Sequence, residues 1–183
     1  MASYYYLAAQ LPYLIYGQGV PMSSASFKFL ASGLMNSADA RLLDYCSLDP
    51  AFYAENAPKT PSAFINNFRE WERALRFNLA KGRASKLKRE GGPAIDAPDY
   101  PADAAAAAKN ALSIESPLEA EIFLDRKRWD IIESLQGLNA FSENAIYAYL
   151  LKLLLMERRA AFKTEEGFNE YKALYAAIIG LGT

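Results

Sequence analysis

The chain has 183 residues, enough for one domain or for a long and a short lobe. Hydrophobic residues make up 52%, sufficient for a substantial core, and charged residues 22% with a formal net charge of -1, a total that favours neither nucleic acid nor an anionic membrane. Histidine is absent and Cys46 is the single cysteine, which excludes an internal disulfide, a Ser-His-Asp triad, a Cys-His pair and a His-ligated zinc.

The charge is uneven along the chain. Residues 1–90 carry 11 Lys+Arg against 7 Asp+Glu, or +4, and residues 91–183 carry 9 against 14, or -5. The two halves can attract each other or offer different faces to partners. The opening "MASYYYLAAQ" has neither a basic n-region nor a cleavage site, so no signal peptide is expected, and the lone cysteine fits a reducing cytosol.

Residues 1–22 read as a short strand or a short helix, since periodicity does not decide between them. Tyr4, Tyr5, Tyr6, Tyr13, Ile15 and Tyr16 are expected to form an aromatic plug against the core. The alternative, a stacking platform for bases, lacks basic residues in the same segment. Three small helices follow. "SSASFKFLASGLMN" starts on a serine cap, "SADARLLDYCSLD" restarts on Ser37, and "DPAFYAEN" has Asp49 as cap with Pro50 at the first helical position.

"TPSAFINNFREWERALRFNLAKGRA" is the first long helix, with Thr60 as its cap and Pro61 at its first position. Phe64, Phe68, Trp71, Leu75 and Leu79 share one face. Arg69, Glu72, Arg73 and Arg76 are expected away from it, as a solvated strip or a docking surface, with Glu72 and Arg76 spaced for an i,i+4 pair. The run "KGRASKLKRE" then holds Lys81, Arg83, Lys86, Lys88 and Arg89. It reads as a solvated helix end that suits the C-terminal dipole, or as a strip able to touch phosphates.

"GGPAIDAPDYPAD" (residues 91–103) holds two glycines and three prolines and reads as a linker. It separates an N-terminal helical lobe, 1–90, from a C-terminal lobe, 104–183, the two forming one compact domain. "ADAAAAAKNAL" has high helix propensity and little bulk to pack. "SPLEAEIFLDRKRWDIIESLQGL" begins with a capping box, Ser116 and Glu119, and Pro117 at the first position. Leu118, Ile122, Trp129 and Ile132 share a face, and Asp125 falls on it. A carboxylate there is costly unless paired, so Asp125 is expected at the rim of the stripe, joined to Arg128 or Arg158.

"SENAIYAYLLKLLLMERRAAFK" is the second long helix, capped by Ser142. Its apolar run from Ala145 to Met156 is interrupted by Lys152 and falls well short of the roughly 20 residues that a membrane span needs. Bulky residues go most of the way round, leaving only a strip through Ala145, Ala148, Lys152, Arg159 and Lys163. Such a helix belongs in the middle of a bundle. "TEEGFNEYKALYAAIIGLGT" restarts at Thr164 and is expected to fold back onto it. The fold class is therefore mainly α, a multi-helix bundle of antiparallel hairpins with a short ambiguous N-terminal segment and the two long helices lying against each other.

A weak internal similarity links the two long helices. "WERALRFNLAKG" and "MERRAAFKTEEG" agree at Glu72 and Glu157, Arg73 and Arg158, Phe77 and Phe162, and Gly82 and Gly167. Catalytic signals are few. "YGQGVP" has a Gly-x-Gly without a third glycine, no loop is built to cradle phosphate, and no metal-ligand spacing occurs. A non-enzymatic protein without cofactor or metal is the expectation.

"LEAEIFLDRKRW" and "IYAYLLKLLLMERRAAF" together resemble the motif pair of the C-type, or d-like, central-stalk component of V/A-type ATPases. Glu121, Leu124, Asp125 and Trp129 match a Glu-x-x-Leu-Asp segment with a following aromatic. Tyr149, Lys152, Glu157, Arg158 and Arg159 match a Tyr-x-x-x-Lys-x-x-Glu-x-x-Asn-x-Arg helix with shifted spacing and no asparagine. The N-terminal "YYYLAAQLPYL" resembles uncharacterised bacterial proteins associated with V-type ATPase operons. The resemblance implies a reduced form of a cytoplasmic stalk component, peripheral at the inner face of the membrane, that couples the central shaft to the proteolipid ring in ion or proton transport. It also implies partner-gripping arginines: Arg73, Arg76, Arg158 and Arg159 are the candidates, with Glu72, Asp125 and Glu157 as interface or internal ion-pair partners. The alternative is a helical nucleic-acid or regulatory module built on Lys81 to Arg89.

Overall fold

The computed structural model describes residues 4–53, 57–87 and 102–162. Among the described residues there are seven α-helices, two short 3-10 turns and no strand. In chain order the helices are α1 (Tyr5–Gln10), α2 (Ser24–Leu34), α3 (Ser37–Leu42), α4 (Ala63–Lys86), α5 (Ala102–Ser113), α6 (Pro117–Gln136) and α7 (Glu143–Ala160). The 3-10 turns, Leu43–Tyr45 and Pro50–Tyr53, lie between α3 and α4. The mainly α bundle expected from periodicity is what forms. The linker expected at 91–103 lies outside the described residues up to 101, and its last two positions open α5. The segment expected to restart at Thr164 and fold back, together with Lys88, Arg89, Lys163 and Gly167, also lies outside them.

The helix starts are set by side-chain caps that satisfy otherwise orphaned amides. Ser23, Ser116 and Ser142 each accept from the amide three residues on. Two caps differ from expectation. Asn36, not Ser37, caps α3 by accepting from the Asp39 amide. Ser62, not Thr60, caps α4 by accepting from the Ile65 amide, because the Thr60 hydroxyl is bonded to Asn66. Asp49 does cap the second 3-10 turn, taking the Ala51 amide at 2.9 Å. At the other end of α6, Gly137 has φ +76, a left-handed conformation that a side chain resists, and the helix stops there.

Residues 1–22 resolve, from Tyr4 on, into a helix followed by irregular chain. Tyr4, Leu7 and Leu14 are buried, but Tyr5, Tyr6, Tyr13 and Ile15 are exposed, so most of the expected aromatic plug faces solvent. A six-residue helix has only one inward face, and Leu7 holds it.

Helix α7 runs through the middle of the main core. Even its small strip is covered, with Ala145 and Ala148 both buried. It packs antiparallel to α6, and α6 lies between α7 and α4. The two long helices thus meet the same neighbour and make little direct contact with each other, one point being Phe64 against Tyr147, with ring centroids 6.4 Å apart. This corrects the expectation that they pack along their lengths.

Helix α5 packs on α4 in a parallel sense, not as an antiparallel hairpin. Trp71 Nε1 donates to the Asp103 carboxylate at 3.2 Å at the start of α5, and Leu112 near its end lies over Gly82. Ala104, Ala107, Ala108 and Ala111 form the buried stripe of α5, and their lack of bulk is what lets the two backbones approach. The alanine-rich segment that looked short of packing material packs by being small.

Candidate functional site

Four of the seven residues singled out from the sequence, Glu72, Arg76, Asp125 and Arg158, sit along the seam where α4, α6 and α7 meet. Glu72 projects from α4 and is completely buried. Its Oε2 accepts from Arg128 Nε at 2.9 Å and its Oε1 from the same guanidinium at 3.0 Å, a bidentate fork. The same Oε1 accepts from Arg76 Nε at 2.8 Å, the expected i,i+4 pair. Arg128 also donates to Asp125 Oδ1 at 2.9 Å. Arg158 on α7 approaches that oxygen at 3.6 Å and donates to Glu121 Oε2 at 2.7 Å. Three arginines and three carboxylates thus form one neutral chain across three helices.

This placement corrects two expectations. Glu72 is not on a solvated strip of α4, and Asp125 is not at the rim of its stripe, being only 1% exposed. Their charges are tolerated inside because Arg128 lies between them. Burial alone disfavours the Arg128 cation, but Glu72 first and Asp125 second more than offset this, so the guanidinium is held above its ordinary range. For Asp125 burial prevails: it pushes the carboxyl above the usual carboxylate value, against the pull of Arg158 and Arg128. Asp125 Oδ2 is buried without a hydrogen-bond partner, consistent with that direction.

The remaining candidates separate. Glu157 turns to α2, where its oxygens accept from the Ser24 amide and hydroxyl, both at 2.7 Å. A carboxylate there favours the positive end of α2 and ties it to the end of α7. Arg159 lies over the Tyr16 ring at 5.0 Å, and Arg126 lies over the same ring at 5.1 Å. Arg73 belongs to none of these contacts and lines a separate pocket beside Lys59 and Arg69. Arg69, expected in the solvated strip, is buried. The aligned pairs of the internal similarity do not share an environment: Glu72 is inside the seam and Glu157 half-buried at α2.

Next to the seam, Trp129 Nε1 donates to Glu133 Oε1 at 2.8 Å. Lys152 bonds the same oxygen at 3.2 Å and lies over the Trp129 ring at 5.1 Å. Burial by itself raises the Glu133 carboxyl, but Lys152 and Trp129 stabilise its anion and the net direction is downward. The segments that carry the family resemblance therefore face each other across α6 and α7, through Arg158 with Glu121 and Asp125 and through Lys152 with Trp129. Leu118, expected on the core stripe, is 39% exposed near the start of α6.

Arg128 is the hub that sequence reading left outside the candidate set. Its signal was present: two acids fall on apolar stripes, and Arg128 follows one of them at i+3. Cys46 is buried and its thiol is pushed up to about 12 by burial, which keeps it protonated and weakly nucleophilic. Among the described residues no group of three or more Cys, Asp or Glu side chains is arranged to hold a metal ion, and no helix is long and apolar enough to cross a membrane. No protein-family model matches the chain, and no curated protein or solved structure is significantly similar to it.

Proposed function

We propose that this chain is a non-enzymatic coupling or assembly subunit that works by holding protein neighbours. On the strength of the motif resemblance, those neighbours are the central shaft and proteolipid ring of a V/A-type rotary ATPase, at the inner face of the membrane. The observation that carries the proposal is the Glu72–Arg128–Asp125–Arg158 chain, buried except at its half-exposed Arg158 end, which fastens α4, α6 and α7 to one another. A part that passes force needs a body whose helices do not slide, and directional, charge-assisted bonds resist sliding better than apolar contact alone. The mutual packing of the two resembling segments supports reading them as one unit.

The seam engages Arg76 and Arg158 internally, so the grip on a neighbour is assigned to other side chains. Tyr5, Tyr6, Tyr13, Phe29 and Leu138 expose large apolar surface, of the kind enriched at protein contacts. The alternative nucleic-acid module has in its favour, among the described residues, the exposed Lys81, Arg83 and Lys86 along the last turns of α4.

Affinity purification of the tagged chain from solubilised membranes of its source cells tests the proposal. Stalk and ring subunits are expected to co-purify from wild type and to be depleted in a Tyr6→Ser, Tyr13→Ser variant. Recovery of the chain without any ATPase component overturns the reading, and recovery with RNA or DNA that dissociates as salt is raised favours the alternative.

A further inference from the structure

Arg69 and Arg128 are both buried arginines of this fold, but they are treated differently. Arg128 has Glu72 and Asp125 on it. Arg69 is 8% exposed and makes no ion pair among the described residues, and neither does Arg73 one turn further along α4. The Nε atoms of both are buried without a hydrogen-bond partner. A guanidinium taken out of water without a counter-charge is costly.

The two arginines line one cavity of about 70 Å³ between the Pro50–Tyr53 turn, residues 57–59 and α4. Lys59 lines it as well, and Glu70 is the single acid on its wall, so the described lining carries three cations against one anion. The walls are held in place. The Arg69 guanidinium lies over Tyr45 at 5.5 Å and over Phe52 at 5.8 Å, and its Nη1 donates to the Pro58 carbonyl at 2.9 Å. Asn66 clamps the rim: its Oδ1 accepts from the Thr60 amide at 2.9 Å and its Nδ2 donates to the Thr60 carbonyl at 2.7 Å. The volume accommodates several waters at roughly 10–15 Å³ each, and so a group with the few oxygens of a phosphate.

We propose that this pocket is an oxyanion-binding site, with Arg69, Arg73 and Lys59 as its cations and a phosphate group as its ligand. Guanidinium forks suit tetrahedral oxyanions because two N–H groups meet two oxygens at once. Arg69, fixed by aromatic stacking and by Pro58, presents a pre-ordered donor. Arg73 and Lys59 close on the ligand from α4 and from the loop. The site is independent of the rotary-ATPase reading, which does not call for it.

The test is a titration of the full chain with inorganic phosphate, followed by amide chemical shifts, against sodium chloride of equal ionic strength. Saturable shifts are expected at Lys59, Asn66, Arg69 and Arg73, absent with chloride. Arg73→Gln and, separately, Lys59→Gln are each expected to weaken binding at least tenfold. Arg83→Gln, on the exposed end of α4, leaves it unchanged. Phosphate shifts that match those of chloride, or saturation that survives both pocket variants, overturn the proposal.

Discussion

The two flanks of α4 hold their neighbours by opposite means. Toward α6 the helix offers Glu72, which reaches Arg128 through a buried fork. Toward α5 it offers Trp71, Ala74, Leu75 and Leu79 to a stripe of alanines, with Gly82 under Leu112. The apolar flank gains from area and closeness, and its identical alanines mark no register by themselves; the Trp71–Asp103 bond and the Gly82–Leu112 fit at its ends are what resist a one-turn slip. The charged flank tolerates no such slip, since displacing Glu72 by one turn breaks its fork with Arg128 and leaves the buried carboxylate with Arg76 alone and the buried guanidinium with Asp125 alone. Close approach and charge pairing are thus divided between two faces of one helix.

The largest effect is expected where the charged flank is opened from one side. Arg128→Leu leaves Glu72 with Arg76 alone and Asp125 with only the longer contact to Arg158. A loss of about 3–5 kcal/mol is expected, because the partners remain buried and uncompensated. Urea denaturation measures it as a fall in midpoint. A loss below about 1 kcal/mol would mean that water enters the seam freely, and the contrast between the flanks would disappear.

A smaller effect is expected from crowding the apolar flank. Ala104 is fully buried between α5 and its neighbours. Ala104→Leu forces the backbones apart and is expected to cost about 1–3 kcal/mol, the usual range for overpacking. The same urea series reads it. A neutral or stabilising result would show that close approach of α4 and α5 is not what that interface depends on.

The same contrast explains what the sequence could and could not disclose. The stripe Phe64, Phe68, Trp71, Leu75 and Leu79 is legible because apolar spacing and burial coincide there. Glu72 falls four residues after Phe68 and three before Leu75, so spacing puts it inside, while its charge argues for the surface. Spacing prevails, because Arg128 supplies the counter-charge from a helix 56 positions away in sequence. That distance is why the pair is hard to read: the sequence shows two acids on stripes but not that one cation serves both. Asp125 is half-legible, since Arg128 lies one turn on. The parallel sense of α4 and α5 was also hidden, because the residue pattern of a helix does not state the direction of the helix it packs on. Cap choice failed at Thr60 for a local reason, the competing bond to Asn66.

Within the charged flank the smallest effect is expected at Asp125. Its Oδ1 faces Arg128 and Arg158 and its Oδ2 faces no donor, and burial holds its carboxyl above the ordinary value. A carboxyl whose folded value is raised binds its proton more tightly in the folded chain than in the unfolded one. Its contribution to stability is therefore complete below the unfolded value and is lost as pH rises through the folded value. Above the folded value that contribution is gone, and Asp125→Asn, which is uncharged at every pH and keeps an oxygen toward Arg128, is expected to cost only about 1 kcal/mol at pH 7. On acidification the wild type should gain on the variant, so the gap between their urea midpoints widens from pH 7 to pH 4. A variant as damaged as Arg128→Leu at pH 7, with a gap that narrows in acid, would place the Asp125 charge among the contacts that set register. The seam would then depend on all its acids equally, not on Glu72 first.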